Sequence, residues 1–107
     1  MADAAFTFEY DERLGLRLPV LHKPYDAMTE DERARLLLIL ENVSGRIPER
    51  IRDLERRYLE LYRQAQSEEG EAFFRIMEEA SALSAAIAEL NVLYWNIQGH
   101  FLTTYVG

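Results

Sequence analysis

Few groups in this 107-residue chain have types and spacings that could do chemistry. The two histidines, His22 and His100, lie far apart in sequence. His22 falls between Pro19 and Pro24 in an expected loop, and His100 borders an apolar segment. A lone histidine in either setting is expected to pack or hydrogen-bond rather than bind a metal or move a proton. Glu68-x-x-Glu71 has the spacing of half a magnesium site, but a second acidic pair on a later helix is missing. Acids at a helix start are explained by the positive end of the helix dipole. The Glu-x-x-His pairing of carboxylate-bridged di-iron bundles does not occur. The chain has no cysteine, so disulfides, thiolate metal sites and a cysteine nucleophile are excluded.

One basic stretch stands out. Arg46, Arg50, Arg52, Arg56, Arg57 and Arg63 give residues 46–66 a charge of +2, against −4 for 1–45 and −5 for 67–107. These arginines are interleaved with Glu49, Asp53, Glu55 and Glu60, which puts Arg50/Asp53 and Arg56/Glu60 at helical contact spacing. A solvated, self-paired face is expected rather than a nucleic-acid stripe, because no aromatics interleave on that face for base stacking. The overall −7 also opposes polyanions and anionic membranes as main partners.

The elements that must position these groups are written in the apolar periodicity. Thr29-Glu30-Asp31-Glu32 has the form of a capping box and marks a helix start. From there Leu36, Leu40, Val43, Ile47, Ile51, Leu54, Tyr58, Leu61 and Ala65 recur at steps of three and four. This predicts a first long helix over 29–66, kinked or briefly broken at 45–48, where Pro48 has no N–H for the Ser44 carbonyl. A stop follows at Gln66–Glu71, with Ser67 the expected cap of a second long helix over 68–99. Its stripe is Phe73, Ile76, Ala80, Leu83, Ile87, Leu90, Tyr94, Ile97 and Phe101, and Gly99 is expected to end it or weaken its last turn. A tail occupies 100–107.

Folded antiparallel, the two stripes pair Leu61 with Ile76, Tyr58 with Ala80, Leu54 with Leu83, Ile51 with Ile87 and Ile47 with Leu90, each pair of numbers adding to 137 or 138. The expected fold is therefore all-α: a long antiparallel helical hairpin assembling into a helical bundle, in a single domain. Residues 1–28 form an N-terminal arm. Within it Phe6–Tyr10 and Leu14–Leu18 alternate apolar and polar around Asp11-Glu12-Arg13, which suggests a small β-hairpin, with an extended arm as the alternative. Pro19 is expected to end the second strand or restrict it to an edge.

The seam between the stripes holds no Asp, Glu, Lys, Arg or His. Enzymes and metal proteins built on bundles turn such groups inward, because charges need fixed polar partners in a dry site. A non-enzymatic protein with no cofactor and no metal site is expected. What needs explaining is the surplus apolar surface. From Ala80 to Gly107 only Glu89 is charged, and outside the seam the segment still presents Val92, Leu93, Trp95 and Leu102. Ser81, Ala82, Ser84, Ala85, Ala86 and Ala88 form a small-residue patch, and Ser84, Asn91 and Gln98 recur every seven residues. On the first helix Leu36–Leu40 is likewise apolar nearly all round.

A helix apolar on several sides needs neighbours on several sides. The expected interface comprises Ser84, Ala85, Ala88, Asn91, Val92, Trp95 and Gln98, together with Leu37 and Leu38. A homodimer forming a four-helix bundle is the favoured assembly, with the charged tip at 49–79 projecting into solvent. The functional expectation is an adaptor or regulatory subunit acting through protein–protein contacts. The alternative is a small enzyme or ligand binder with an inter-subunit apolar pocket around Tyr94, Trp95 and His100. The N-terminal residues lack the basic start and apolar run of a signal peptide, and no run approaches the roughly 20 apolar residues that span a bilayer. A cytoplasmic location is expected.

Overall fold

A computed structural model describes the backbone of residues 4–106 and the side chains of residues 4–99. The chain is mostly helical, in the order β1 (Phe6–Asp11), β2 (Leu16–Leu21), a 3-10 turn (Tyr25–Ala27), α1 (Glu30–Ala65) and α2 (Gly70–Val106). It divides into two compact units between Arg46 and Ile47. α1 runs as one helix through Pro48, so of the kink or brief break expected at 45–48 the break does not occur.

The first unit contains the β-hairpin, the 3-10 turn and the opening turns of α1. β1 and β2 pair antiparallel, Phe6 opposite Leu21 through Asp11 opposite Leu16. The arm is thus a β-hairpin, but its second strand begins two residues later than the alternation suggests. Asp11 explains the shift. Its carboxylate accepts from the Leu14 N–H at 3.0 Å and its carbonyl from the Gly15 N–H at 2.7 Å. Gly15 adopts φ +69, a left-handed conformation that glycine takes without steric cost. Leu14 and Gly15 are therefore spent on the turn.

β2 then runs through Pro19 to Leu21 instead of stopping at the proline. The His22 N–H donates to the Ala5 carbonyl at 2.8 Å, which sets the phase of the ladder. Counting inward by twos, Phe8 and Pro19 form a non-hydrogen-bonded pair, where the missing N–H would point away from the partner strand. Ala5, Met28 and Leu36 form a buried cluster, with Phe6, Tyr25 and Leu40 packed against it.

The start of α1 is the expected capping box. The Glu32 N–H donates to Thr29 Oγ1 at 3.2 Å, and the Thr29 N–H donates to Glu32 Oε1 at 2.8 Å. Lys23 Nζ lies 2.8 Å from the same Glu32 oxygen. These donors, the Lys23 ammonium first, hold the Glu32 carboxyl below the ordinary 4.5. Arg33 ties the 3-10 turn to α1 by donating to the Tyr25 and Asp26 carbonyls at 3.1 and 2.8 Å, with its guanidinium over the Tyr25 ring.

The second unit is a helical hairpin of α1 from Ile47 onward and α2. Ile47, Leu54, Leu61 and Ala65 are buried on α1, as are Ala80, Ala86, Leu90 and Ile97 on α2. Ile51, Tyr58, Phe73, Ile76, Leu83, Ile87 and Tyr94 are half-buried. Arg57 Nη2 bonds Glu79 Oε1 across the hairpin at 3.2 Å, one step from the register in which the stripes face each other. All three of these charged groups are about half exposed, so Arg57 with Glu79 and Glu60 contributes only about 0.2–1 kcal/mol per pair. Burial of the leucines and isoleucines holds the hairpin, at about 1.5–3 kcal/mol for each fully covered side chain.

Two boundaries differ from the sequence reading. The Ser67 hydroxyl donates to the Gln64 carbonyl at 3.1 Å, serving the end of α1 rather than capping α2. α2 opens instead on Gly70 at φ +62, and its backbone stays helical past Gly99 to Val106.

Candidate interaction surface

The sequence singles out several groups for chemistry, and the structure keeps them apart. His22 is an exposed side chain at the end of β2, with Nε2 2.7 Å from Thr7 Oγ1. This is a hydrogen-bonded histidine, without acidic or cysteine neighbours grouped for a metal. No cluster of His, Cys, Asp and Glu suited to a metal ion occurs among the described residues. The His100 side chain lies outside the described residues, as do those of Phe101 and Leu102. Glu68 and Glu71 are both exposed at the turn between the helices. The arginine stretch is partly self-paired, with Arg56 on Asp53 in place of the expected Glu60. Arg56 reaches Asp53 at 3.6 Å, and Arg57 reaches Glu60 at 3.5 Å as well as Glu79.

The first unit carries a cavity of about 290 Å³ between the hairpin and α1. Phe8, Leu16, Ile39 and Val43 supply its apolar lining, and Arg17, Asn42 and Arg46 its polar groups. The Arg17 guanidinium stacks over the Phe8 ring at 4.9 Å from its centroid.

The more extensive feature is the outer face of α2. The helix places residues three and four apart on one side. Stepping back from Trp95 by alternating threes and fours gives Val92, Ala88, Ala85, Ser81, Glu78 and Phe74, and every one of these is exposed. The large members are mostly in solvent: Phe74 at 71%, Val92 at 59% and Trp95 at 70% of their surface. Ser84 and Asn91 flank this stripe and are also exposed, while Gln98 is half-buried. Asn91 donates one amide N–H to the Ile87 carbonyl at 3.1 Å. Trp95 meets Tyr94 edge to face, with 6.3 Å between ring centroids. Around Phe74 an open depression of about 660 Å³ is lined by Glu71, Phe74, Arg75, Met77 and Glu78.

Of the apolar and small residues outside the seam, Ala86 is buried and Leu93 half-buried, so neither belongs to the outer face. In the first unit Leu38 is 67% exposed whereas Leu37 is half-buried. Phe74, Leu59 and Tyr62 are exposed apolar side chains on the tip at 49–79, which the sequence reading treats as simply charged. Tyr62 stacks on Tyr58 at 6.4 Å. The signal for Phe74 is present in the sequence: the outer stripe continues in register below Ala80, where the charge-poor segment ends.

No known protein family, curated protein or solved structure matches the chain. Among the described residues no helix is long and apolar enough to cross a membrane.

Proposed function

We propose that the protein is a non-enzymatic, self-associating helical hairpin of the cell interior. It acts through protein–protein contacts, as an adaptor or regulatory subunit, and two copies assemble into a helical bundle. One observation carries this reading: α2 buries one apolar stripe within its own unit and leaves Phe74, Ala85, Ala88, Val92 and Trp95 exposed on its outer face. Exposed apolar stripes of this extent on soluble chains mark association sites. The seam offers no inward charge to a substrate, which favours contact over catalysis.

Sedimentation equilibrium tests the proposal at about 10–100 µM, a range matched to micromolar affinity. The chain is expected to sediment as a dimer. Ala85→Arg and Ala88→Arg, each placing a charge on the outer stripe, are expected to give monomers with unchanged helicity. A monomeric wild type, or full retention of the dimer in both variants, overturns the reading.

A second reading, a small-molecule binder or small enzyme, draws on a different observation. The cavity of the first unit joins two guanidinium groups and an amide to an apolar floor. It does not use Tyr94 and Trp95. Thermal shift with small apolar carboxylates such as benzoate and octanoate checks it: stabilisation that Arg46→Ala abolishes supports this second reading, and its absence removes it.

A further inference from the structure

The geometry points to the cavity of the first unit as the site of a compact amphipathic carboxylate. Its anionic head lies between Arg17 and Arg46 at the mouth, and its apolar body lies inside against Leu16, Ile39 and Val43. This rests on the ligand-binding reading and gives the ligand a charge, a size and an orientation.

The first argument is the order of the walls. Ile39, Asn42, Val43 and Arg46 have the spacing i, i+3, i+4 and i+7, so one side of α1 supplies them all. Phe8 from β1, with Leu16 and Arg17 from β2, supplies the rest. Leu16 and Val43 are buried and Ile39 is half-buried, whereas Arg17, Asn42 and Arg46 are exposed. The cavity is thus apolar at depth and cationic at its mouth. A ligand with one charged end enters such a space tail first, because the apolar body leaves water while the charge keeps polar partners.

The second argument is the state of the two guanidinium groups. Acids outnumber Lys and Arg by 19 to 12, and Lys23, Arg56 and Arg57 each find one. Neither Arg17 nor Arg46 has an acidic partner or a hydrogen bond among the described residues. Arg46 leaves Glu49 unused, although the two are at helical contact spacing. Arg17 is held on the Phe8 ring, 4.9 Å from its centroid, with its N–H donors still to be met. No acid lines the cavity, so the negative charge its mouth calls for has to arrive with the ligand. A carboxylate matches the planar fork of a guanidinium and reaches two of them through its two oxygens. The Asn42 amide adds a neutral donor beside them.

Volume limits the body. At ~30 Å³ for each water displaced, a cavity of about 290 Å³ admits roughly ten non-hydrogen atoms. Octanoate and benzoate fit this limit. Inorganic phosphate answers the arginines alone and leaves the apolar floor wet.

Amide NMR of the isotope-labelled full chain tests the assignment. Octanoate, octanol, octylammonium and inorganic phosphate are titrated separately, and circular dichroism confirms that each variant keeps its helicity. Octanoate is expected to shift the Phe8, Leu16, Asn42 and Val43 amides to saturation. Octanol and phosphate are expected to bind at least tenfold more weakly, and octylammonium to leave these amides unmoved. Arg17→Gln and Arg46→Gln, both changes of exposed side chains, are each expected to raise the octanoate dissociation constant at least fivefold. Arg63→Gln, in the second unit, is expected to leave it unchanged. Octanol that saturates the same amides as tightly as octanoate overturns the carboxylate assignment and leaves a ligand-binding cavity standing. Phosphate that binds as tightly as octanoate overturns the apolar body in the same way. If none of the four compounds shifts these amides, both the assignment and the ligand-binding reading fall.

Discussion

Two leucines on α1 separate the buried seam from the outer surface with the least change in chemistry. Leu59 and Leu61 lie two residues apart on one helix, yet Leu61 is 1% exposed and Leu59 is 59% exposed. Truncation of a fully buried leucine to alanine costs about 2–5 kcal/mol, combining lost transfer energy with the cavity left behind. Leu61 reaches its neighbours on every side, so Leu61→Ala is expected to cost about 3 kcal/mol. Leu59 has about two-fifths of its surface covered and leaves no enclosed space. At about 1.5–3 kcal/mol for complete burial, offset by a slight gain in helix propensity, Leu59→Ala is expected to cost about 0.5–1 kcal/mol. With a urea m-value of about 2 kcal/mol/M, the midpoints should fall by about 1.5 M for Leu61→Ala and by less than about 0.5 M for Leu59→Ala. Unfolding is followed by circular dichroism at one low protein concentration, so that the proposed self-association would add no concentration-dependent term. Equal midpoint shifts for the two variants would refute the placement of the seam.

Two further expectations follow from backbone and capping geometry. A Cβ added at Gly45 or Gly70 meets nothing within 4 Å, so only backbone preference decides the outcome. Gly45, inside α1, should gain about 0.5–1 kcal/mol on conversion to alanine, whereas Gly70 at φ +62 should lose about 1 kcal/mol; thermal melts shifted in the same direction by both would contradict this. Glu32 is held below its ordinary value of 4.5 by Lys23 and the Thr29 N–H, so near that pH the native chain binds fewer protons than the unfolded one. Its contribution is complete above about pH 4.5 and drains away as the pH falls through the lowered native value. The stability difference between wild type and Glu32→Gln, which keeps the cap but not the charge, should therefore shrink on acidification; a difference constant from neutral to strongly acid pH would rule the ion pair out as its source.

Much of this architecture is legible without coordinates because it is local. The capping box at Thr29 and Glu32 involves groups three residues apart, and the seam stripes follow from a period of 3.6. The arm reads as a hairpin for the same reason. Its phase does not, since Leu14-Gly15-Leu16 alternates as well as any strand, and only the Asp11 carboxylate and carbonyl, both bonding into the turn, decide that Leu14 and Gly15 leave the ladder. Pro48 misleads in the other direction. Its local cost of about 3 kcal/mol argues for a break, and burial of Ile47 and Leu54 on either side favours continuing the helix.

The sequence alone determines that two long amphipathic segments exist, where the first begins, and that their apolar stripes hold no Asp, Glu, Lys, Arg or His. Tertiary structure decides which apolar side chains are covered. Ala86 is buried while Ala85 and Ala88 are not, and Phe74, Leu59 and Trp95 stand in water although their periodicity resembles that of the core. Periodicity reports that a helix has an apolar stripe; when α2 carries two, the choice between them is set by the path of the neighbouring helix, which is a property of the folded chain and not of any local run of residues.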